Sequence, residues 1–325
     1  MSFKTKSFCS ALVASASLTL IGLLALSTAA RAVDLTPDTT RYLSDPSFLP
    51  LEGQVYSETV YIHSDRDEDL FSGLLKEHFS TTANEGEQIL RYGLTDRLSL
   101  YVAGSYSGAT QTSSGSYDGF SFGPTSTSRN DFNDPSFGAT YRIVEQTDSP
   151  LSFDVTGTYS PSVVEHSSQS GQLSFFINRE TRFITIQGEA GARFIDSYDG
   201  PGTAFAARQR DYWNYFFGIR SQMRLTDALA VNSGVVYSKN TDIAYDGEFY
   251  NSQDGTWTPF VSLSYGIVPG KVDVAFEYDH AFIGDTKQNG PIGPIGLGMI
   301  DRIGPIGKFD NDSQNTYAVH LRLLF

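Results

Sequence analysis

From about residue 50 onward, hydrophobic and polar residues alternate one by one in segments of about ten, the period of a strand whose two faces meet different surroundings. Leu98, Leu100 and Val102 fall on one face, with Ser99, Tyr101 and Ala103 on the other. Leu151, Phe153, Val155, Gly157 and Tyr159 oppose Ser152, Asp154, Thr156 and Thr158; Trp213, Tyr215, Phe217 and Ile219 oppose Asn214, Phe216, Gly218 and Arg220. Val272, Val274, Phe276 and Tyr278 oppose Asp273, Ala275, Glu277 and Asp279, and the chain ends on Tyr317, Val319, Leu321, Leu323 and Phe325 against Ala318, His320 and Arg322. Twelve such segments follow, near 52–62, 85–94, 97–107, 133–144, 151–160, 172–180, 183–195, 210–225, 228–238, 256–268, 271–283 and 314–325.

Short connections alternate with long ones. Thr95-Asp96, 145–150, Thr181-Arg182, Thr226-Asp227 and Pro269-Gly270 are short, whereas 63–84, 108–132, 161–171, 196–209, 239–255 and 284–313 are long. A tilted strand needs about 9–11 residues to cross a bilayer, and short turns on one side with long loops on the other mark an outer-membrane barrel. The predicted fold is all-β: a transmembrane antiparallel up-and-down barrel of about twelve strands over 51–325, with periplasmic turns and external loops. A soluble sandwich also alternates, but these strands are long, their apolar faces carry aromatics toward the ends, and the chain stops inside a strand. Leu94-Thr95-Asp96-Arg97-Leu98 and Leu225-Thr226-Asp227-Ala228-Leu229 repeat one hairpin text, in which Asp is expected to bond the local backbone.

The N-terminus reads differently. Lys4 and Lys6, an apolar run over Ala11 to Leu26 and Ala30-Arg31-Ala32 make residues 1–32 a cleavable signal peptide, and a run of sixteen residues is short for a spanning helix. Cleavage removes three bases and no acid, so the formal charge goes from −14 to −17, and it removes the one cysteine, Cys9. No disulfide or thiol nucleophile then remains, and an acidic chain has no footprint for nucleic acid. Residues 33–50, with Pro37, Pro46 and Pro50, plug the lumen or hang free on the periplasmic side.

Two resemblances add to this. The terminal strand, Tyr317 to Phe325, resembles the C-terminal recognition strand of bacterial outer-membrane barrels, which implies the barrel assembly machinery as a partner. Tyr92-Gly93-Leu94-Thr95-Asp96-Arg97-Leu98-Ser99-Leu100, followed by Asn133-Asp134-Pro135-Ser136-Phe137-Gly138-Ala139-Thr140-Tyr141-Arg142, is similar to the transporter family named for the meta-pathway of phenol degradation. In that family a GLTDRL hairpin precedes a GDPxxGxxYR strand; Asn133 stands here where the second motif has its first Gly. The resemblance implies an outer-membrane channel for small hydrophobic or aromatic compounds and carries no catalytic residue or cofactor.

Charge then suggests where solutes would pass. The faces opposite the apolar stripes hold Arg91, Arg142, Arg193, Arg220, Arg224, His320 and Arg322 with Asp154, Glu189, Asp273, Glu277 and Asp279. In a barrel these point inward, where they line a path for a small-molecule solute, or cross-link strands, Asp273, Glu277 or Asp279 meeting His320 or Arg322. The run Asp65-Arg66-Asp67-Glu68-Asp69 lacks the glycine and glutamate of a calcium loop and is expected as a solvated loop, with lipopolysaccharide within reach through bridging cations. Gly290-Pro291-Ile292-Gly293-Pro294-Ile295-Gly296 and Gly304-Pro305-Ile306-Gly307 form a lid or a plain surface loop, kept out of any sheet by their prolines. Catalysis is not expected: among five histidines only His63 and His166 adjoin serines, and neighbours on a strand point apart.

Overall fold

The computed structural model describes residues 42–72, 75–146, 149–163, 168–197, 210–245, 249–292 and 302–325. Among the described residues sixteen strands run, as β1 (Val55–Ser72), β2 (Leu75–Thr95), β3 (Leu98–Tyr117), β4 (Phe120–Phe132), β5 (Ser136–Val144), β6 (Ser152–Ser160), β7 (Ser170–Glu180) and β8 (Ile184–Ile195). They continue as β9 (Tyr212–Arg224), β10 (Leu229–Asn240), β11 (Ile243–Tyr245), β12 (Phe249–Gln253), β13 (Thr256–Val268), β14 (Val272–Ile283), β15 (Thr286–Ile292) and β16 (Arg302–Leu324). Twelve of them form the ring β1-β2-β3-β5-β6-β7-β8-β9-β10-β13-β14-β16, which antiparallel pairing of β1 with β16 closes. Closure leaves the barrel wall no open edge.

Each of the twelve alternating segments lies on one ring strand. The outward face is a belt of exposed Leu90, Leu100, Phe153, Phe175, Phe217, Leu263, Phe276 and Leu321. Tyr92, Tyr141, Tyr265 and Phe325 edge it at the turn side, and Tyr61, Tyr106, Tyr159, Trp213, Trp257 and Tyr317 at the loop side. Two aromatic girdles around an apolar band are what a bilayer-spanning barrel presents.

The inward face is polar, and its aromatics lie over glycines of neighbouring strands. Tyr101 of β3 covers Gly138 of β5, Phe216 of β9 covers Gly191 of β8, and Phe260 of β13 covers Gly234 of β10; a Cβ at any of the three glycines would overlap the ring. Guanidinium groups stack on two of these rings, Arg91 on Tyr101 at 5.1 Å and Arg220 on Phe260 at 5.6 Å. The motif glycine at 138 is thus a socket for a motif-strand tyrosine.

Three sequence expectations need correction. Threonine, not aspartate, closes the repeated turns: Thr95 Oγ1 accepts the amides of Arg97 and Leu98 at 3.2 and 3.0 Å, and Thr226 Oγ1 those of Ala228 and Leu229 at the same distances. Asp96 instead accepts the amide of Glu52 at 3.1 Å. The connections 63–84 and 108–132 are not loops. They are the loop-side arms of β1, β2 and β3 together with β4, and the 65–69 acidic run lies inside β1. Above the belt neither face meets lipid, so the apolar half of the alternation disappears while Ser- and Thr-rich pairing continues.

The prolines also enter the sheet. Pro291 pairs opposite Ile303 and Pro305 opposite Asn289, beside a register shift. The β1 pairing of β16 reaches only to Lys308, so the edge above it has no partner among the described strands and a missing amide costs no ladder bond there. Residues 293–301, the middle of the Gly-Pro-Ile-Gly region, lie outside the described residues, as does His166.

Candidate functional site

Residues 42–50 occupy the turn-side mouth of the ring. Two backbone bonds, Asp45 N to Tyr42 O at 3.1 Å and Phe48 N to Asp45 O at 2.9 Å, fold the segment tightly. Asp45 Oδ1 accepts both the Ser47 amide and its hydroxyl, at 2.9 and 2.7 Å, the aspartate turn that a short polar side chain favours. Tyr42, Leu43, Asp45, Leu49 and Pro50 are buried.

The wall holds this segment from several sides. Ser44 Oγ accepts from Gln222 at 2.9 Å, Pro46 O from Gln187 at 2.6 Å and Ser47 O from Arg142 at 2.7 Å. Asp45 Oδ2 accepts from Thr185 at 2.7 Å and Arg224 at 3.0 Å, and the Phe48 ring packs 5.4 Å from Tyr56. The Tyr42 hydroxyl donates to the Thr226 carbonyl. Burial, and then the Asp227 carboxylate, raise the Tyr42 phenol above its ordinary value, so it stays a donor. At Gly93 a Cβ would strike the Leu51 carbonyl, which brings the segment's exit against β2.

Around the mouth the charges pair. Arg142 grips Asp154 through Nε at 2.8 Å and Nη2 at 3.0 Å, a fork-to-carboxylate geometry. Asn178 donates to the same carboxylate at 3.0 Å and accepts from Gln187 at 2.8 Å. Arg224 lies between Asp45 and Glu180, at 3.0 and 2.6 Å. On the far side Glu58 takes Arg322 at 2.8 Å, His320 at 3.0 Å and the Tyr56 hydroxyl at 2.9 Å, while Arg322 reaches Asp273 at 3.4 Å.

Most of the remaining sequence candidates sit higher on the inner face, while Arg91 lies opposite Tyr56, level with the mouth. Arg91 and Arg220 stack on their aromatics, Arg193 donates to Ser170 at 3.1 and 2.8 Å, and Glu189 is buried on β8, the strand that also carries Arg193. Glu277 and Asp279 share the inner face of β14 with Asp273. Of the proposed cross-links from β14 to β16, Arg322 with Asp273 forms at the length of a weak contact, and Glu58 is the nearer partner of both His320 and Arg322.

Sequence reasoning missed Asp45, Glu58 and Glu180. Glu58 had one local signal, its place two residues from Tyr56 on the face opposite Ser57 and Thr59, but its partners His320 and Arg322 lie more than 260 residues away.

The external acids are paired too. His63 meets Asp65 at 3.3 Å, Arg66 meets Glu68 at 2.7 Å and His78 meets Asp69 at 2.9 Å. No group of three His, Cys, Asp or Glu among the described residues could hold a metal ion. His63, His78, His280 and His320 bond Asn84, Asp69, Asn315 and Glu58 respectively, and no serine hydroxyl is among those partners.

No family model and no curated protein matches this chain. Solved structures do. The COG4313 outer membrane channel from Pseudomonas putida F1 aligns at 12% identity over 90% of this chain and 100% of its own, with a TM-score of 0.56. A Pseudomonas aeruginosa FadL homologue aligns at 7% identity over 83% and 90%, TM-score 0.46. The transport unit of the autotransporter AIDA-I from Escherichia coli aligns at 10% identity over 83% and 90%, TM-score 0.47. The likeness to the first is one of fold: this chain is a closed twelve-stranded antiparallel barrel of the outer-membrane type.

Proposed function

We propose that the chain, exported by a signal peptide over residues 1–32 that is then cleaved, is an outer-membrane channel for passive entry of small molecules, hydrophobic or aromatic ones among them. The observation that carries this reading is a polar, charge-lined interior inside an apolar, girdled outer belt, an arrangement that replaces hydrocarbon with a wettable path. Glu189, Arg193, Arg220, Glu277 and Asp279 would meet the solute, because they sit above the paired ring at the mouth, and Arg91 would meet it level with that ring, opposite Tyr56. Arg142, Asp154, Arg224, Asp273, His320 and Arg322 would hold the mouth together. The outward Tyr317, Val319, Leu321, Leu323 and Phe325 would serve the barrel assembly machinery, and the acidic arms of β1 and β2 would face lipopolysaccharide.

Flux of phenol and of a sugar of similar size into liposomes carrying the refolded mature chain tests this. Phenol entry above protein-free liposomes, beyond any sugar entry, is the expected result; equal entry of both would make it a general pore. The second reading, a closed structural or adhesive barrel, draws support from residues 42–50 in the mouth, and entry of neither solute would favour it.

A further inference from the structure

Two side chains of the mouth segment converge on one guanidinium of the wall. Asp45 Oδ2 accepts from Arg224 Nη2 at 3.0 Å and from Thr185 Oγ1 at 2.7 Å, and the Tyr42 ring lies with its centroid 6.0 Å from the Arg224 carbon Cζ. The site is buried: Asp45 is 6% exposed, Thr185 0% and the Arg224 side chain 9%. Within the chain itself, then, a carboxylate and an aromatic ring three positions apart occupy one wall site.

The fit is incomplete. Arg224 Nε is buried and has no hydrogen-bond partner, while Nη2 serves Asp45 and Glu180 together. A buried donor left unmade is costly. A guanidinium offers a carboxylate two parallel N–H bonds, and Asp45, tied by its other oxygen to Ser47, takes one. Glu180 belongs to the barrel wall on β7, whereas Asp45 arrives on the mouth segment, so Asp45 is the ligand that can be exchanged. Three further ties of that segment, to Gln222, Gln187 and Arg142, end on a hydroxyl and two backbone carbonyls.

We propose that Arg224 and Thr185 form a binding site for a solute that joins an aromatic ring to a carboxylate. Such a solute takes the places of Asp45 and Tyr42, satisfies Arg224 Nε as well as Nη2, and thereby releases residues 42–50 from the mouth. The site lies in the turn-side mouth, and its own occupant keeps it shut when no solute is there. This inference rests on the channel reading and adds a solute class and a gate to it.

Conductance of the refolded mature chain in planar bilayers, at constant ionic strength, separates the possibilities. The probes are benzoate, benzyl alcohol as the ring without charge, and acetate as the charge without ring. Benzoate is expected to raise open-state occupancy about tenfold or more, the scale of one charge-assisted hydrogen bond; acetate does less and benzyl alcohol nothing. The near-isosteric Asp45→Asn conducts without any solute and responds little to benzoate.

Benzoate acting no more than benzyl alcohol, or Asp45→Asn staying as closed as the parent, overturns the proposal. A variant lacking residues 42–50 tells the two readings apart. If it conducts while the intact chain ignores benzoate, the gate alone fails; if it is folded, by its electrophoretic mobility, and still silent, the channel reading fails with it.

Discussion

Replacing Arg142 by methionine is expected to destabilise the folded barrel by about 3–5 kcal/mol, the usual result of removing one partner from a buried ion pair. Arg142 and Asp154 are 8% and 6% exposed, so the carboxylate left behind has Asn178 and little water. The same guanidinium also donates to Ser47 O, so the mouth segment loses a tie in the same step. Urea unfolding in detergent micelles, followed by electrophoretic mobility, measures the shift. The double variant Arg142→Met, Asp154→Met should recover most of the loss, because two well-packed apolar side chains replace a pair whose desolvation offsets much of its attraction. Equal losses in the single and double variants would show that the ion pair is not what the position supplies.

Gly138→Val should be comparably severe, with a loss of at least about 3 kcal/mol, at the upper end of what overpacking costs. Its Cβ would overlap the Tyr101 ring and approach the Gly157 carbonyl to 2.6 Å. Tyr101 has little room to retreat: Arg91 stacks on one side, and its hydroxyl meets the Thr158 hydroxyl. The variant is expected to refold in low yield and to melt early on a heated gel. Adding Tyr101→Ala should restore part of the loss, the remainder belonging to the Gly157 carbonyl. A Gly138→Val chain as stable as the parent would mean that the ring has another place to go.

Both positions fall in the strand that resembles the phenol-pathway family, and the structure gives each a physical task. Gly138 makes room for Tyr101, and Arg142 ties β5 to β6 and to the mouth segment. Asn133, the departure from that motif, donates to Glu85 at 3.0 Å and to Ser105 at 2.7 Å while accepting from Ser107 at 3.2 Å. A glycine there would make none of these side-chain bonds.

Much of the site was legible only in outline. The inward set of Arg91, Arg142, Arg193, Arg220, Arg224 and Arg322 follows from alternation, because a side chain's face on a strand depends on whether its position is odd or even. The partners do not follow from it. Arg224 finds Glu180 across two strands and Asp45 from a segment 179 residues earlier, and Arg322 finds Glu58 264 residues away. One local signal went unread: Asp118-Gly119, both with positive φ, is the two-residue turn of a hairpin, and it joins β3 to β4 within what alternation leaves as a loop.

Alternation thus determined by itself the number of ring strands, their up-and-down order and which residues turn inward, since each depends on a repeat of two positions or on a short turn. The tertiary structure alone decided that residues 42–50 fill the mouth and that Glu58 is the partner of Arg322. These depend on the register at which β1 meets β16 and on which groups closure brings within hydrogen-bond reach, and a local pattern carries neither quantity.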